Sequence, residues 1–388
     1  MALRAHDAHV TTDYGPEQAA MQAYLADGER RARALGNRGP IRYAADGAVA
    51  PDILDAYWRT GFYVFEGVLG ADELADIERD LNEVLERVPA SEGGTLDAQG
   101  RPALGADCRA PTFFWARPLA DPFGGTTLAN GRHPARMYEP RAATDAPEKV
   151  LYLFLGSLQF SEACLRLYGH PDLLAVAAAI NGPDFTPFNE AVWIKKPGEG
   201  ASVAWHQDGT THWQSPTLDA GTHGFNFMAQ LYGCTAANGV WVVPGSHARG
   251  KVDIKALADA AGSDRLPDAV RILCAPGDVA ICNRQAVHGS FANTSRDTRV
   301  TLNFGFHRRA SVLGVTAGGV HNAVATYDEA RIRERSRLIA YAIDARRQRY
   351  PRETPFRYAP FAGEEARYRW DASLLPTLKD YNLLDLSI

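Results

Sequence analysis

The sequence has no apolar run that approaches the roughly 18 residues of a membrane-spanning helix. It also lacks an apolar N-terminal segment of the kind that marks a secretory signal. No lysine-rich run is present, and the net charge of −5 offers no general attraction to nucleic acid. These absences predict a cytoplasmic protein that acts on neither membranes nor nucleic acid.

Cysteine is scarce and shows no pairing pattern. The five cysteines are odd in number and contain no C-x-x-C spacing, which predicts reduced thiols rather than disulfides or a structural zinc site. Apolar residues make up 46% of the chain and charged residues 22%, as in a soluble globular protein with an ample core. The length of 388 residues allows one large domain or two.

The chain does contain a pattern of metal-ligand residues. His206 and Asp208 are two positions apart, so in an extended segment both side chains point to the same side. A second histidine, His288, lies far downstream, and Arg299 heads an alternating run after it. Two imidazoles and one carboxylate on one face of an octahedral ion form the ligand set of non-haem Fe(II) oxygenases. Zinc, which hydrolases hold with similar ligands, is the alternative metal.

Two predicted strands have one polar face each. In residues 299–306, Arg299, Thr301 and Asn303 alternate with apolar residues, and residues 225–232 show the same alternation. The polar face of 299–306 indicates that Arg299 faces a polar cavity, whereas that of 225–232 either lines a ligand cavity or faces solvent. Other predicted strands are 62–65, 190–196, 240–243, 270–273 and 278–282. Predicted helices are 18–35, 51–60, one starting near 71, 161–167, 171–180, 255–261, and one opened by a Thr326/Glu329 capping box and running to about 348.

Four motifs in a fixed order resemble the phytanoyl-CoA dioxygenase family of Fe(II)- and 2-oxoglutarate-dependent oxygenases. They run from Tyr57 to Leu69, from Lys195 to Asp208, from Asn238 to His247, and from Pro276 to Arg299. The resemblance covers roughly residues 48–310. It implies a mainly β fold with flanking helices around a double-stranded β-helix core of the jelly-roll or cupin type.

The resemblance also implies the roles of individual residues. His206, Asp208 and His288 would bind Fe(II), and Arg299, eleven positions after His288, would bind the distal carboxylate of 2-oxoglutarate. Ser290 matches a position that can bind the same carboxylate. Related halogenases replace the carboxylate ligand with a small residue, so the retained Asp208 favours hydroxylation, desaturation or ring formation.

The implied function is oxidation of an unactivated C–H bond in a small-molecule metabolite of secondary metabolism, with hydroxylation favoured. 2-Oxoglutarate and O2 would become succinate and CO2, with ascorbate as the reductant in vitro. The alternatives are a non-catalytic binding protein of the same fold and a zinc hydrolase. Arg299 argues against the hydrolase, which needs no arginine for a second carboxylate.

The domain prediction has three parts. Residues 1–47 form a peripheral arm, 48–310 the oxygenase domain, and 311–388 a C-terminal extension that packs on the core or on a partner subunit, as in a homodimer. Within the domain, residues 91–150 are irregular yet rich in aromatics, which predicts either a lid over the substrate or an insertion that only packs on the sheet. The candidate substrate residues are Trp115, Arg117, Thr210, His212, Trp213 and Asn226. The sequence does not specify the substrate.

Overall fold

The computed structural model describes residue 3 and residues 13–188, 190–208, 224–317 and 324–383, with the side chains of 129 and 130 excepted. Its helices are α1 (Gln18–Leu35), α2 (Pro51–Thr60), α3 (Ala71–Glu86), α4 (Glu162–Tyr168), α5 (Pro171–Asn181), α6 (Ile254–Ala261), α7 (Arg309–Val312), α8 (Glu329–Arg349) and α9 (Leu375–Leu378). No described helix is long and apolar enough to cross a membrane. The cysteines form no disulfide.

The strands are mostly short. They are β1 (Arg38–Gly39), β2 (Phe62–Phe65), β3 (Phe113–Ala116), β4 (Val150–Leu155), β5 (Phe185–Pro187), β6 (Ala191–Lys195), β7 (Val203–His206), β8 (Phe225–Gln230), β9 (Trp241–Val242), β10 (Val270–Arg271), β11 (Val279–Asn283), β12 (His288–Ser290), β13 (Arg299–Arg308), β14 (Thr316–Ala317) and β15 (Ala325–Thr326).

Two sheets make the core of the described chain. The larger has the order β1-β2-β11-β8-β13-β6-β4-β3, with β5 also paired to β13, and the smaller has the order β10-β9-β12-β7. All pairs are antiparallel except β1 with β2. Residues of both sheets line one cavity between them, and the sheets do not close into a barrel. The prediction of a mainly β, jelly-roll-type core with flanking helices is confirmed.

The larger sheet uses its two faces differently. Val300, Leu302 and Phe304 of β13 pack into the main hydrophobic cluster together with residues of α2, α3, α4, α5 and α8. Arg299, Thr301 and Asn303, on the opposite face of the same strand, line the cavity. Strand β8 likewise has one face in the hydrophobic cluster and the other face toward the cavity. All of its residues are buried, so the alternative that its polar face is exposed to solvent is wrong.

Helix α1 covers the outer face of the smaller sheet. Tyr24 stacks on Trp241 of β9, with ring centroids 4.5 Å apart and planes tilted by 11°. Gly28 lies one helical turn further along, where a Cβ atom would sit 2.3 Å from the same indole ring. A glycine is therefore needed for the helix to approach the sheet this closely.

The C-terminal segment shares the main core. Leu338 and Ile339 of α8 are buried there, with later residues such as Tyr358 and Leu378. The predicted capping box is wrong. Asp328 is the N-cap, and its side chain accepts from the backbone N–H of Arg331, while Thr326 belongs to β15. A capping box requires the acid at the third helical position, and Glu329 occupies the first.

The segment 91–150 is largely irregular, as its composition indicated, but it is tied to the sheet at several points. It contributes β3, an edge strand paired with β4, so Trp115 lies opposite Leu151. The backbone N–H of Leu119 donates to the carbonyl of Glu199 at 2.8 Å. Asp121 is buried and accepts from the backbone N–H of Ala204 in β7. These contacts fix where the segment meets the smaller sheet.

Candidate metal centre and co-substrate cavity

Strand pairing brings the three predicted metal ligands together. His206 ends β7 and lies directly opposite His288 on β12, with imidazole centroids 4.2 Å apart. Two residues after His206, the backbone N–H of Asp208 donates to the carbonyl of Arg284 at 2.9 Å. One ligand atom from each of His206, Asp208 and His288 lies within 4.8 Å of the others. Among the described residues, no other group of three histidine, cysteine or acidic side chains brings its ligand atoms this close together.

Hydrogen bonds leave the metal-facing atoms of the group available. Nδ1 of His206 lies 2.7 Å from the carbonyl of Ala204, and Nδ1 of His288 lies 2.9 Å from that of Ala286. A carbonyl only accepts, so each Nδ1 carries the proton and each Nε2 presents a lone pair. Oδ1 of Asp208 is buried and accepts no hydrogen bond. Two neutral imidazole nitrogens and an unsatisfied carboxylate oxygen fit a divalent metal.

The electrostatics favour the protonation states that a metal requires. Burial lowers the pKa of His288 to about 4, so its imidazole is neutral near pH 7. Burial alone would raise the pKa of Asp208, but His288, His206 and Arg284 hold it well below its usual value. The carboxyl group is therefore ionised.

Two neighbours hold the Asp208 carboxylate. Nδ2 of Asn226 donates to Oδ2 at 2.7 Å, and Nε of Arg284 lies 3.8 Å from the same oxygen. Arg284 is fully buried, with its guanidinium 4.2 Å from the ring centroid of Phe188. The sequence reasoning named Asn226 as a substrate residue and missed Arg284. The Asn226 side chain lines the cavity while it orients Asp208.

The end of the cavity away from the metal ligands is basic, because Arg299 lies six residues along β13 from Gly305, which pairs with Asn226 beside Asp208. Arg299 is 4% exposed, and it donates from Nε to Thr301 Oγ1 at 2.8 Å and from Nη1 to the Asn238 carbonyl at 3.0 Å. Lys195 is also buried, and its Nζ donates to Ser290 Oγ and to the carbonyl of Phe291, both at 2.7 Å. In the described part of the chain, no acidic side chain lies within 4 Å of either cation.

Lys195 was not among the predicted site residues. Burial lowers its pKa well below the usual range, and the charge of Arg299 adds to the effect. The signal was present in the Lys195-Lys196-Pro197-Gly198 motif, since a lysine on the inward face of a strand next to the metal motif lacks a solvated position. Arg296, three residues before Arg299, is the competing candidate for the 2-oxoglutarate arginine, but it lines a separate surface hollow with Thr298 and lies outside this cavity.

The structure does not bring Trp115 or Arg117 to the cavity. Trp115 is held in the edge strand β3, and the Arg117 side chain is 66% exposed, 3.6 Å from the Glu139 carboxylate. Their selection as substrate residues was based on residue type alone, which does not locate an irregular segment. Three further candidates, Thr210, His212 and Trp213, lie outside the described residues.

Another part of the same segment does reach the metal ligands. The His133 ring stacks on that of His206, with centroids 4.3 Å apart and planes tilted by 10°. Nδ1 of His133 lies 3.7 Å from the Asp121 carboxylate. Burial lowers the pKa of His206 and His288, and the charge of Arg132, next to His133 in the chain, adds to this effect. Sequence reasoning missed these residues.

His206, Asp208 and His288, in one cavity with Arg299 and Lys195, match the residue types expected of an Fe(II)- and 2-oxoglutarate-dependent oxygenase. The family model for phytanoyl-CoA dioxygenase (PhyH) matches residues 57–301, which is more than half of the chain. The chain belongs to the phytanoyl-CoA dioxygenase family.

Solved structures with similarity to the chain include EctD from S. alaskensis with 2-oxoglutarate and 5-hydroxyectoine, at 20% identity, 70% coverage of this chain and 81% of that one, with a TM-score of 0.48. AviO1 from Streptomyces viridochromogenes Tue57 shows 20% identity, coverages of 66% and 94%, and a TM-score of 0.45. EvdMO1 shows 21% identity, 65% coverage of this chain and a TM-score of 0.45, and the match spans only 48% of its length. No curated protein matches the chain. These identities are too low to transfer substrates or residue roles.

Proposed function

We propose that this protein uses Fe(II) and 2-oxoglutarate to oxidise an unactivated C–H bond of a small-molecule metabolite, with hydroxylation as the outcome. The observation that carries the proposal is the two-ended cavity, which has His206, Asp208 and His288 at one end and Arg299 with Lys195 at the other. A molecule that chelates a metal through one end and carries a carboxylate at the other fits both ends.

The metal would be held by Nε2 of His206, Nε2 of His288 and the Asp208 carboxylate. When bound, iron with 2-oxoglutarate and O2 supplies the oxidising power for C–H cleavage. The chain's own contribution is to bury these ligands and orient them. Asn226 and Arg284 hold the Asp208 carboxylate, and the carbonyls of Ala204 and Ala286 fix the two histidine tautomers.

The distal carboxylate of 2-oxoglutarate would bind at Arg299. Its guanidinium is held in place by Thr301 and by the carbonyl of Asn238, so its orientation is fixed before the ligand arrives. Lys195 provides a second positive charge, and Ser290 links Lys195 to the strand that carries His288. Two buried cations without acidic partners are costly, and a bound carboxylate offsets that cost.

Retention of the carboxylate ligand supports hydroxylation over halogenation. Asp208 occupies the position that a halide would need, and its ionised state is favoured by three neighbouring groups. O2 is a required co-substrate, and ascorbate is the reductant of choice in vitro.

Two alternatives follow from the same residues. A zinc hydrolase would use His206, Asp208 and His288 but would leave Arg299 and Lys195 without a ligand. A non-catalytic binding protein would bind metal and 2-oxoglutarate without turnover. The basic end of the cavity favours a 2-oxoglutarate enzyme over the hydrolase, and turnover itself separates the enzyme from the binding protein.

The segment 91–150 is proposed to cover the metal end from the substrate side, because His133 stacks directly on a predicted iron ligand. The catalytic domain would span residues 48–310, flanked by the arm 1–47 and the extension 311–388. A cytoplasmic location fits reduced cysteines and a metabolite substrate, and homodimerisation through the extension remains a prediction.

The experiment is succinate formation from 2-oxoglutarate with Fe(II), ascorbate and O2, screened against a metabolite library. The proposal predicts substrate-dependent succinate and a product heavier by one oxygen atom, abolished in Asp208→Ala. Succinate coupled to loss of two hydrogens would change the outcome to desaturation or cyclisation. Binding of iron and 2-oxoglutarate without succinate for any library member would favour the non-catalytic protein, and zinc-dependent hydrolysis without 2-oxoglutarate binding would favour the hydrolase.

A further inference from the structure

Arg132 is a partly buried cation without a hydrogen-bonding partner. Its Nε and Nη1 atoms are buried and form no hydrogen bond. No carboxylate lies within 4 Å of its guanidinium in the described chain, whereas Arg136, on the same segment, pairs with Glu139 at 2.9 Å. Burying two guanidinium nitrogens without partners is costly in a folded protein, so their presence calls for an explanation.

The backbone holds Arg132 at the metal end of the cavity. The neighbouring His133 stacks on His206, and its carbonyl accepts from the backbone N–H of Gly125 at 2.8 Å. The Asp121 carboxylate accepts a hydrogen bond from the backbone N–H of Ala204, which connects the same segment to β7. Burial lowers the pKa of the Arg132 guanidinium, and the negative charge of Asp208 acts in the opposite direction.

The charges at this end do not balance once the proposed cofactors are present. Arg132 and Arg284 supply two positive charges, and Asp121 and Asp208 supply two negative ones. Fe(II) adds two positive charges, and the metal-bound carboxylate of 2-oxoglutarate removes one. One positive charge remains, and of the two arginines only Arg132 lies on the segment proposed to cover the substrate side.

We propose that Arg132 binds an anionic oxygen group of the molecule to be oxidised and so selects an acidic substrate. The inference rests on the proposed function, since the substrate is defined by the iron and 2-oxoglutarate site. The distal carboxylate of 2-oxoglutarate does not need Arg132, because Arg299 and Lys195 already serve it from the opposite end. The exposed Arg117 and Arg136 share Glu139 as a partner and are poor candidates for this role.

The test uses acetate as a probe on the full-length protein, loaded anaerobically with Fe(II) and 2-oxoglutarate. Paramagnetic relaxation of the acetate methyl protons by bound iron reports acetate near the metal, without any turnover. Acetamide is the neutral counterpart of the same shape, and inorganic phosphate, added as a competitor of acetate, distinguishes a carboxylate site from a phosphate site. The variants are Arg132→Met, Arg132→Lys and the matched control Arg136→Met.

The wild-type complex and Arg136→Met are expected to show saturable relaxation of acetate but not of acetamide. Arg132→Met should weaken acetate binding at least about tenfold, and Arg132→Lys should keep part of the binding, since a charge-assisted contact is lost in the first and partly kept in the second. Iron and 2-oxoglutarate affinities should stay at the wild-type level in all variants. Strong competition by phosphate would identify the anionic group as a phosphate.

Three results would overturn the inference. Acetate relaxation equal in the wild type and Arg132→Met would mean that acetate reaches the iron without Arg132, and absent relaxation in the wild type would mean that no anion site exists. A loss of iron or 2-oxoglutarate affinity in Arg132→Met would assign the residue to the cofactor site instead. Failure of the proposed function itself is seen earlier, as a wild-type protein that binds neither iron nor 2-oxoglutarate.

Discussion

Replacing Arg299 by alanine should weaken 2-oxoglutarate binding more than it weakens the fold. The guanidinium is 4% exposed, lines the cavity, and has no acidic partner among the described residues. Its removal leaves the distal carboxylate of 2-oxoglutarate with Lys195 as the remaining cation at that end. The same change also removes two internal hydrogen bonds, to Thr301 and to the carbonyl of Asn238.

The expected magnitudes separate the two effects. A hydrogen bond to a charged group contributes about 1.5–3 kcal/mol, which corresponds to a roughly ten- to hundredfold loss of 2-oxoglutarate affinity. The two lost internal hydrogen bonds also come from the charged guanidinium, but removing a buried cation without an acidic partner offsets part of their loss. The melting temperature should therefore fall by several degrees at most. Arg299→Lys keeps the charge but loses the planar fork, and it should show an intermediate affinity.

The assay is equilibrium dialysis of 2-oxoglutarate against anaerobic, iron-loaded protein, with the melting temperature of each variant measured in parallel. Arg296→Ala is the matched control, because Arg296 lies nearby in the chain but outside the cavity. A larger loss of affinity in Arg296→Ala than in Arg299→Ala would refute the assignment. So would an unchanged affinity in Arg299→Ala with the fold intact.

Three further outcomes are expected. Burial lowers the pKa of Lys195, and a bound carboxylate should raise it. 2-Oxoglutarate binding should therefore take up protons at a pH between the pKa of the free protein and that of the complex, and should weaken as the pH rises from the first value to the second. Calorimetry in buffers of different ionisation enthalpy measures the proton uptake, and Lys195→Met should abolish it. Asn226→Leu removes the hydrogen bond to Asp208 and should weaken iron binding about tenfold in an anaerobic titration, whereas unchanged binding would remove its positioning role. Gly28→Ala forces a Cβ against Trp241 and should lower the free energy of unfolding by about 1–3 kcal/mol in urea, with iron binding kept; equal or higher stability would contradict the packing.

The sequence correctly predicted which residues share a face of a strand and where several helices begin and end, because local geometry controls both. The alternation along β13 assigned Arg299 to one face and Val300 to the other, because successive side chains of a strand point in opposite directions. Helices α1 and α2 begin and end where their flanking glycines and prolines indicate. The predicted N-cap of α8, Thr326, lies two residues before the observed one, because Thr326 is held in β15 and the Asp328 side chain accepts from the first turn of the helix.

Positions that depend on tertiary contacts were not predictable in the same way. The spacing of His206 and Asp208 limited the choice of metal, but Arg284 reaches Asp208 only because the chain before β12 folds back over β7. The segment 91–150 carries several arginines of similar sequence context. Its attachment through Asp121 to β7 decides that Arg132, and not Arg117, lies at the metal end.

The central claim is that one cavity holds both iron and 2-oxoglutarate. An anaerobic titration of the wild-type protein with Fe(II), followed by 2-oxoglutarate, tests it most directly through the visible absorption of the iron chelate. One iron and one 2-oxoglutarate per chain are expected, with the absorption lost in His206→Ala and His288→Ala. Wild-type iron binding in both variants, or 2-oxoglutarate binding that does not produce the chelate absorption, would contradict the account.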